Sequence, residues 1–213
     1  MGSSFTAKTR AMHEAMGSAM TDWVWVEDGL VKLISTLLGC SLEQAGIVWY
    51  SVVSFNGKLE MIDSLMRHAH EGKPIMSYWP SCYDYLRKLS GYRNRIAHWE
   101  LVSLHPHSFE GHRPFDEHSQ ARLVPHNFDV RDRMMKFRED AGVGIEDVRF
   151  YSGQFSWMGM ELSELWLAQN DKIPWPDKFS RPLTRPQSQD DLWPLNRSEP
   201  DADLIHPGLP RSE

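Results

Sequence analysis

The sequence predicts an all-α fold: an antiparallel four-helix bundle of long helices, with a small irregular or β-hairpin insert and a proline-rich tail. Four segments repeat apolar residues at alternating three- and four-residue spacing, which gathers them into one buried stripe per helix. The early connections between these segments are short, as antiparallel neighbours require. Apolar residues make up 41% and charged residues 24%, a balance that supports a packed core.

The first helix carries Trp23, Val26, Leu30, Leu33 and Leu37, and Gly39 supplies its stop. The second opens at Ser41, a capping residue, and carries Leu42, Ala45, Trp49, Val52, Leu59, Ile62, Met66 and Ala69. It is expected to run unbroken to Gly72 and Pro74, a rod of roughly 40 Å at the helical rise. Asn56 interrupts its stripe and is read as a satisfied core amide. The third helix begins near Pro80 or Ser81 and ends near Trp99, with Cys82, Tyr85, Leu89, Tyr92, Ile96 and Trp99 inward.

An insert over about residues 100–144 separates the third helix from the fourth. Within it, 100–104 and 121–124 are expected to pair as a hairpin, and Val130, Met134 and Phe137 suggest a short helix. The fourth helix spans roughly Ile145 to Asn170, with Val148, Tyr151, Phe155, Met158, Leu162 and Leu165 on one face. Gly153 and Gly159 weigh against it, at about 1 kcal/mol each relative to Ala. The helical domain therefore covers 1–171. Residues 172–213 form an extended proline-rich tail, tacked down by Trp175, Phe179 and Trp193 and available to dock a partner protein.

A net charge of −6 supplies no global basic field, so any nucleic-acid role rests on a local patch. The two cysteines, Cys40 and Cys82, form no CxxC, which argues against a disulfide framework and for a reduced, cytoplasmic setting. The longest apolar stretch is too short to span a bilayer, and no secretory leader is visible, so no membrane association is expected. Met1 to Thr6 fits the permissive myristoylation pattern, on which little weight rests. Phosphate-loop motifs are absent, and no cofactor is expected. Cys82 sits on an apolar stripe, as a small hydrophobe does. His105, His107, His112, His118 and His126 gather in the insert without ligand spacing, so they read as surface histidines and no metal is expected.

The informative residues lie on the third helix, opposite its core stripe. Arg87, Gly91, Asn94 and His98 follow one another at four- and three-residue steps. At about 100° per residue, Asn94 and His98 each lie about 160° from Ile96. Arg93 flanks that line, and Gly91 removes a side chain from its middle, which permits close approach of another backbone. Arg87, Lys88, Arg93 and Arg95 against Asp84 and Glu100 give a local net of +2 on an acidic chain. A charged, solvated helix face has the same composition.

The string Tyr92-Arg93-Asn94-Arg95-Ile96-Ala97-His98 resembles the signature of the HEPN superfamily, an Arg with a polar follower and a His four to six residues beyond. The resemblance covers about residues 22–170. It implies a helical bundle, commonly a homodimer, here through the third-helix face around Gly91, and a metal-independent endoribonuclease of toxin or defence type acting on RNA. By that resemblance His98 is the general base or acid, Arg93 neutralises the scissile phosphate, and Asn94 orients His98 or the phosphate. Arg95, Arg87 and Lys88 are flanking phosphate contacts. Trp99 and Glu100 stand where a toxin subset carries its regulatory Tyr two residues after the His, so that regulation is not implied. Other members keep the bundle as a non-catalytic protein- or nucleic-acid-binding module.

Overall fold

A computed structural model describes residues 3–104, 120–124 and 142–187. It is mostly helical, as expected, with helices α1 (Ser3–Leu38), α2 (Leu42–Ser51), α3 (Phe55–His70), α4 (Trp79–His98) and α5 (Ile145–Gln169). Strands β1 (Glu100–Leu104) and β2 (Gln120–Val124) form a two-stranded antiparallel sheet. No single helix among the described residues is long and apolar enough to cross a membrane.

Helix α1 starts well before Trp23. Met12, Ala15 and Ala19 are buried and continue the stripe of Trp23, Val26, Leu30 and Leu33 at the same spacing. Gly39 ends the helix at a φ of 61°, and Cys40 N–H donates back to Ser35 O at 3.0 Å. Ser41 then caps α2 reciprocally. Its Oγ accepts from Gln44 N–H at 3.2 Å, and Gln44 Oε1 accepts from Ser41 N–H at 3.0 Å. The chain turns by 112° between α1 and α2.

The expected single rod from Ser41 to Gly72 is two helices. Val52 is extended (φ −94°, ψ 120°), and Ser54 opens α3 by accepting from Gly57 N–H at 3.0 Å. Two β-branched valines followed by a serine favour this break, because a serine hydroxyl competes with the helical ladder for nearby amides. Gly57 leaves room for the cap: a Cβ there would lie 3.0 Å from Ser54 Oγ and 3.2 Å from Val52 Cγ1. Asn56, in the first turn of α3, is exposed and is not a core amide.

Helix α1 packs principally along α5, and two glycines set the distance. A Cβ on Gly29 would lie 2.7 Å from Leu162 Cβ, and one on Gly159 would lie 2.8 Å from Trp25 Cβ. The centre of the core is aromatic. Trp23 meets Phe55 at 5.0 Å and Phe155 edge-on at 5.1 Å between ring centroids. Two polar pairs link the helices: Tyr85 Oη donates to Gln154 in the buried core, and Ser152 Oγ donates to Asp22 at a part-buried position.

Glu100 pairs with Val124 in the sheet, and Leu123 exchanges backbone hydrogen bonds of 2.9 Å with Val143, which returns the chain to α5. The short helix expected around Met134 and the histidines of the insert lie outside the described residues. Of the tail, Phe179 is buried edge-on against Tyr78 at 4.9 Å. Lys178 pairs with Glu161 at 2.8 Å and Glu164 at 2.7 Å. Leu183 N–H donates to Ser81 Oγ at 2.7 Å, so the chain past α5 lies back across α4 and α5. Trp175 is 40% exposed, and Trp193 lies outside the described residues.

Candidate functional site

Helix α4 has two faces. Trp79, Cys82, Tyr85, Leu86, Leu89 and Ile96 are buried, while Arg87, Lys88, Gly91, Asn94 and His98 are exposed. Arg93 lies about 60° from Ile96 at the helical step, on the margin of the core, and is half-buried. Its Nη1 donates to Asn94 Oδ1 at 3.1 Å, and its buried Nε has no hydrogen-bond partner. A buried donor left unpaired costs roughly 1–3 kcal/mol.

Facing α4 across an open groove of about 740 Å³ is the break between α2 and α3. Arg87, Lys88, Arg93 and Asn94 line one wall; Ser54, Asn56 and Lys58 line the other; Trp23 and Glu27 of α1 also contribute. Gly91 belongs to this lining too, and a Cβ there would meet nothing within 4 Å. Four of the six expected site residues therefore meet in one cavity.

The other two do not. His98 is the last residue of α4, exposed, with no side-chain hydrogen bond among the described residues, and it does not line the groove. Five residues of helix put it about 140° around from Arg93. Arg95 lies on a different side, its guanidinium 5.3 Å from the Tyr92 ring and 5.5 Å from the Trp99 ring. Beneath it Tyr92 stacks on Tyr151 at 3.8 Å, and burial, with Tyr92 adding to it, pushes the Tyr151 hydroxyl above its ordinary range. Arg95 is thus part of an aromatic stack away from the groove.

The groove is cationic where the chain is not. Lys58, Arg87, Lys88 and Arg93 stand against Glu27 and Asp84, four positive charges to two negative, a local net of +2. None of the four makes an ion pair among the described residues. Elsewhere on the surface Lys32, Arg67, Arg149 and Lys178 all do. An unneutralised cluster of cations in a concavity attracts polyanions.

Sequence reasoning missed Ser54, Asn56 and Lys58, because it carried one helix through them. The available signal was the run Val52-Val53-Ser54, two poor helix formers before a capping residue. Cys82 is fully buried, and burial pushes its thiol well above the ordinary range, as a packing residue would show. Among the described residues no group of three His, Cys, Asp or Glu is placed to hold a metal ion. Comparisons with protein-family models, with curated proteins and with solved structures find no match to this chain.

Proposed function

We propose that the chain is a HEPN-like, metal-independent endoribonuclease whose groove binds RNA and whose active centre is shared between two copies. One observation carries the reading: Arg93 and Asn94, the first two positions of the motif, lie bonded to each other in a cationic groove. In this reading α2 and α3 count as one broken helix of an antiparallel four-helix bundle, and the copies pair through the α4 face around Gly91.

The chemistry divides between the copies. Arg93 grips the scissile phosphate and offsets the charge that builds on it, its planar fork matching phosphate oxygens. His98 of a second copy takes the proton of the ribose 2′-hydroxyl. The 2′-oxygen attacks phosphorus, the bond to the 5′-oxygen breaks, and the His98 imidazolium so formed passes its proton to that oxygen, giving a 2′,3′-cyclic phosphate and a 5′-hydroxyl. An exposed imidazole on a helix end, outside its own groove, suits delivery to a neighbour. The same position favours a second reading, a non-catalytic RNA-binding module in which His98 has no chemical role.

Mixing separates these readings. Arg93→Ala and His98→Ala are each expected to cut chelator-resistant cleavage of single-stranded RNA by about a hundredfold or more. Equimolar mixing with subunit exchange should restore a measurable fraction, because one of the two centres in a mixed dimer keeps both groups. RNA binding without cleavage by wild type would leave the binding module. Full cleavage by both variants would remove the proposed centre.

A further inference from the structure

We propose that the α2–α3 break is a second phosphate subsite of the groove, in which Lys58, with Asn56 beside it, holds a backbone phosphate of single-stranded RNA flanking the one gripped by Arg93. This rests on the RNA reading above and extends it to residues outside the motif.

Lys58 is placed rather than free. Its Nζ lies 4.3 Å from the Trp49 ring centroid and 5.5 Å from that of Tyr50, so the ammonium is held over the aromatic faces of α2. It has no carboxylate partner among the described residues, and it lines the same cavity as Arg93. Ser54 satisfies one first-turn amide of α3, that of Gly57, and the positive end of the α3 dipole adds to the field at the same wall.

The shape selects the class of ligand. A cavity of about 740 Å³ is of the size that encloses small organic ligands, and basic residues line it on two walls. Duplex RNA is read across a broad face spanning about 16 base pairs, whereas a single strand can thread its phosphates into a basic cleft. The break in the helix gives the groove its second wall. An unbroken α2–α3 rod would present no capped helix start there.

The test uses the full chain carrying His98→Ala, so that RNA stays intact, and measures fluorescence anisotropy of a labelled hexauridylate across salt concentrations. Adding Lys58→Ala should weaken binding about fivefold to tenfold, and should lower the slope of log affinity against log salt by about 0.7, one phosphate's worth on a single strand. Lys58→Arg should retain most of the affinity, and Lys172→Ala, at a lysine lining a different cavity, should change nothing. Thermal melts of each variant check that loss of the Trp49 contact has not unfolded the chain, and the Lys58→Arg result guards the inference if Lys58→Ala melts early. No binding by the parent would overturn the RNA reading itself. Binding that is lost on Arg93→Ala but unmoved by Lys58→Ala would overturn this subsite alone. Equal competition by duplex RNA, or by uridine monophosphate, would overturn the single-strand assignment.

Discussion

Arg93 Nη1 donates to Asn94 Oδ1 at 3.1 Å, so the asparagine side chain steadies the guanidinium beside it. Asn94, expected to orient His98 or the phosphate, has its Oδ1 on Arg93 in the structure. Asn94→Ala should then weaken binding of a short single-stranded RNA by about twofold to fourfold, less than Arg93→Ala, which removes the charge itself. Arg93→Lys should not recover the loss, since an ammonium lacks the planar fork. Anisotropy titrations with unchanged melting temperatures would check the order. Asn94→Ala weaker than Arg93→Ala would place Asn94 on the phosphate instead.

Gly159 and Gly29 govern the α1–α5 interface, and the expected cost of Gly159 in helix propensity is offset by the contact it permits. Adding a methyl there drives it into Trp25, 2.8 Å from Cβ and 3.1 Å from the backbone carbonyl carbon. Gly159→Ala should destabilise by about 1–3 kcal/mol from overpacking, despite the helix preference of alanine. Gly17 is exposed in α1 with nothing within 4 Å of its Cβ position, so Gly17→Ala should stabilise by up to about 1 kcal/mol. Denaturant melts of the two variants should move in opposite directions.

The four helical segments were legible because each repeats its apolar residues over several turns, and α4 and α5 fall within two residues of the expected ends. Helix α1 extends further toward the N-terminus than its stripe predicts, because Met12, Ala15 and Ala19 are small or flexible apolar residues amid polar ones. The break at Val52 to Ser54 was hidden because Trp49, Leu59 and Ile62 keep a common buried side across it, so the hydrophobic pattern continues where the hydrogen-bond ladder stops. On the site, periodicity correctly turned Arg87, Asn94 and His98 outward. It could not say that the groove opens toward Arg93 and away from His98, because the facing wall comes from another helix.

Asp22 on α1 accepts from Ser152 Oγ on α5 across a half-buried interface. Burial raises its carboxyl above the ordinary value, and the Ser152 hydrogen bond opposes that only in part. A raised carboxyl means that ionised Asp22 reduces stability at neutral pH. That loss is recovered as pH falls through the raised value toward about 3.9, the unfolded value. Asp22→Asn keeps an acceptor for Ser152 and carries no charge. It should melt higher than wild type at pH 7, by no more than about 1 kcal/mol given the site's solvent contact, with the gap closing below pH 4. Ser152→Ala removes the hydrogen bond and should destabilise by about 1 kcal/mol at pH 7. A gap for Asp22→Asn that widens on acidification would reverse the sign of the shift.

His70 ends α3 under the same penalty on charge, with the opposite direction of shift. Burial first, and the Lys73 ammonium 3.5 Å from Nδ1 second, hold its pKa below the ordinary histidine value, and Gln169 Nε2 lies 3.3 Å from its Nε2. The folded chain therefore binds a proton there less readily than the unfolded chain. The stability that the neutral ring contributes is complete above the unfolded value of about 6.5 and is lost as pH falls through the depressed folded value. Between pH 7 and 5, wild type should lose stability faster than His70→Gln. The difference in slope should be a fraction of the ~1.4 kcal/mol per pH unit that one fully unmatched proton would give, since the ring keeps solvent contact. Urea midpoints measured across that range would show two curves diverging toward acid. Parallel curves would mean that the ring titrates alike in both states, so that neither burial nor Lys73 holds it neutral.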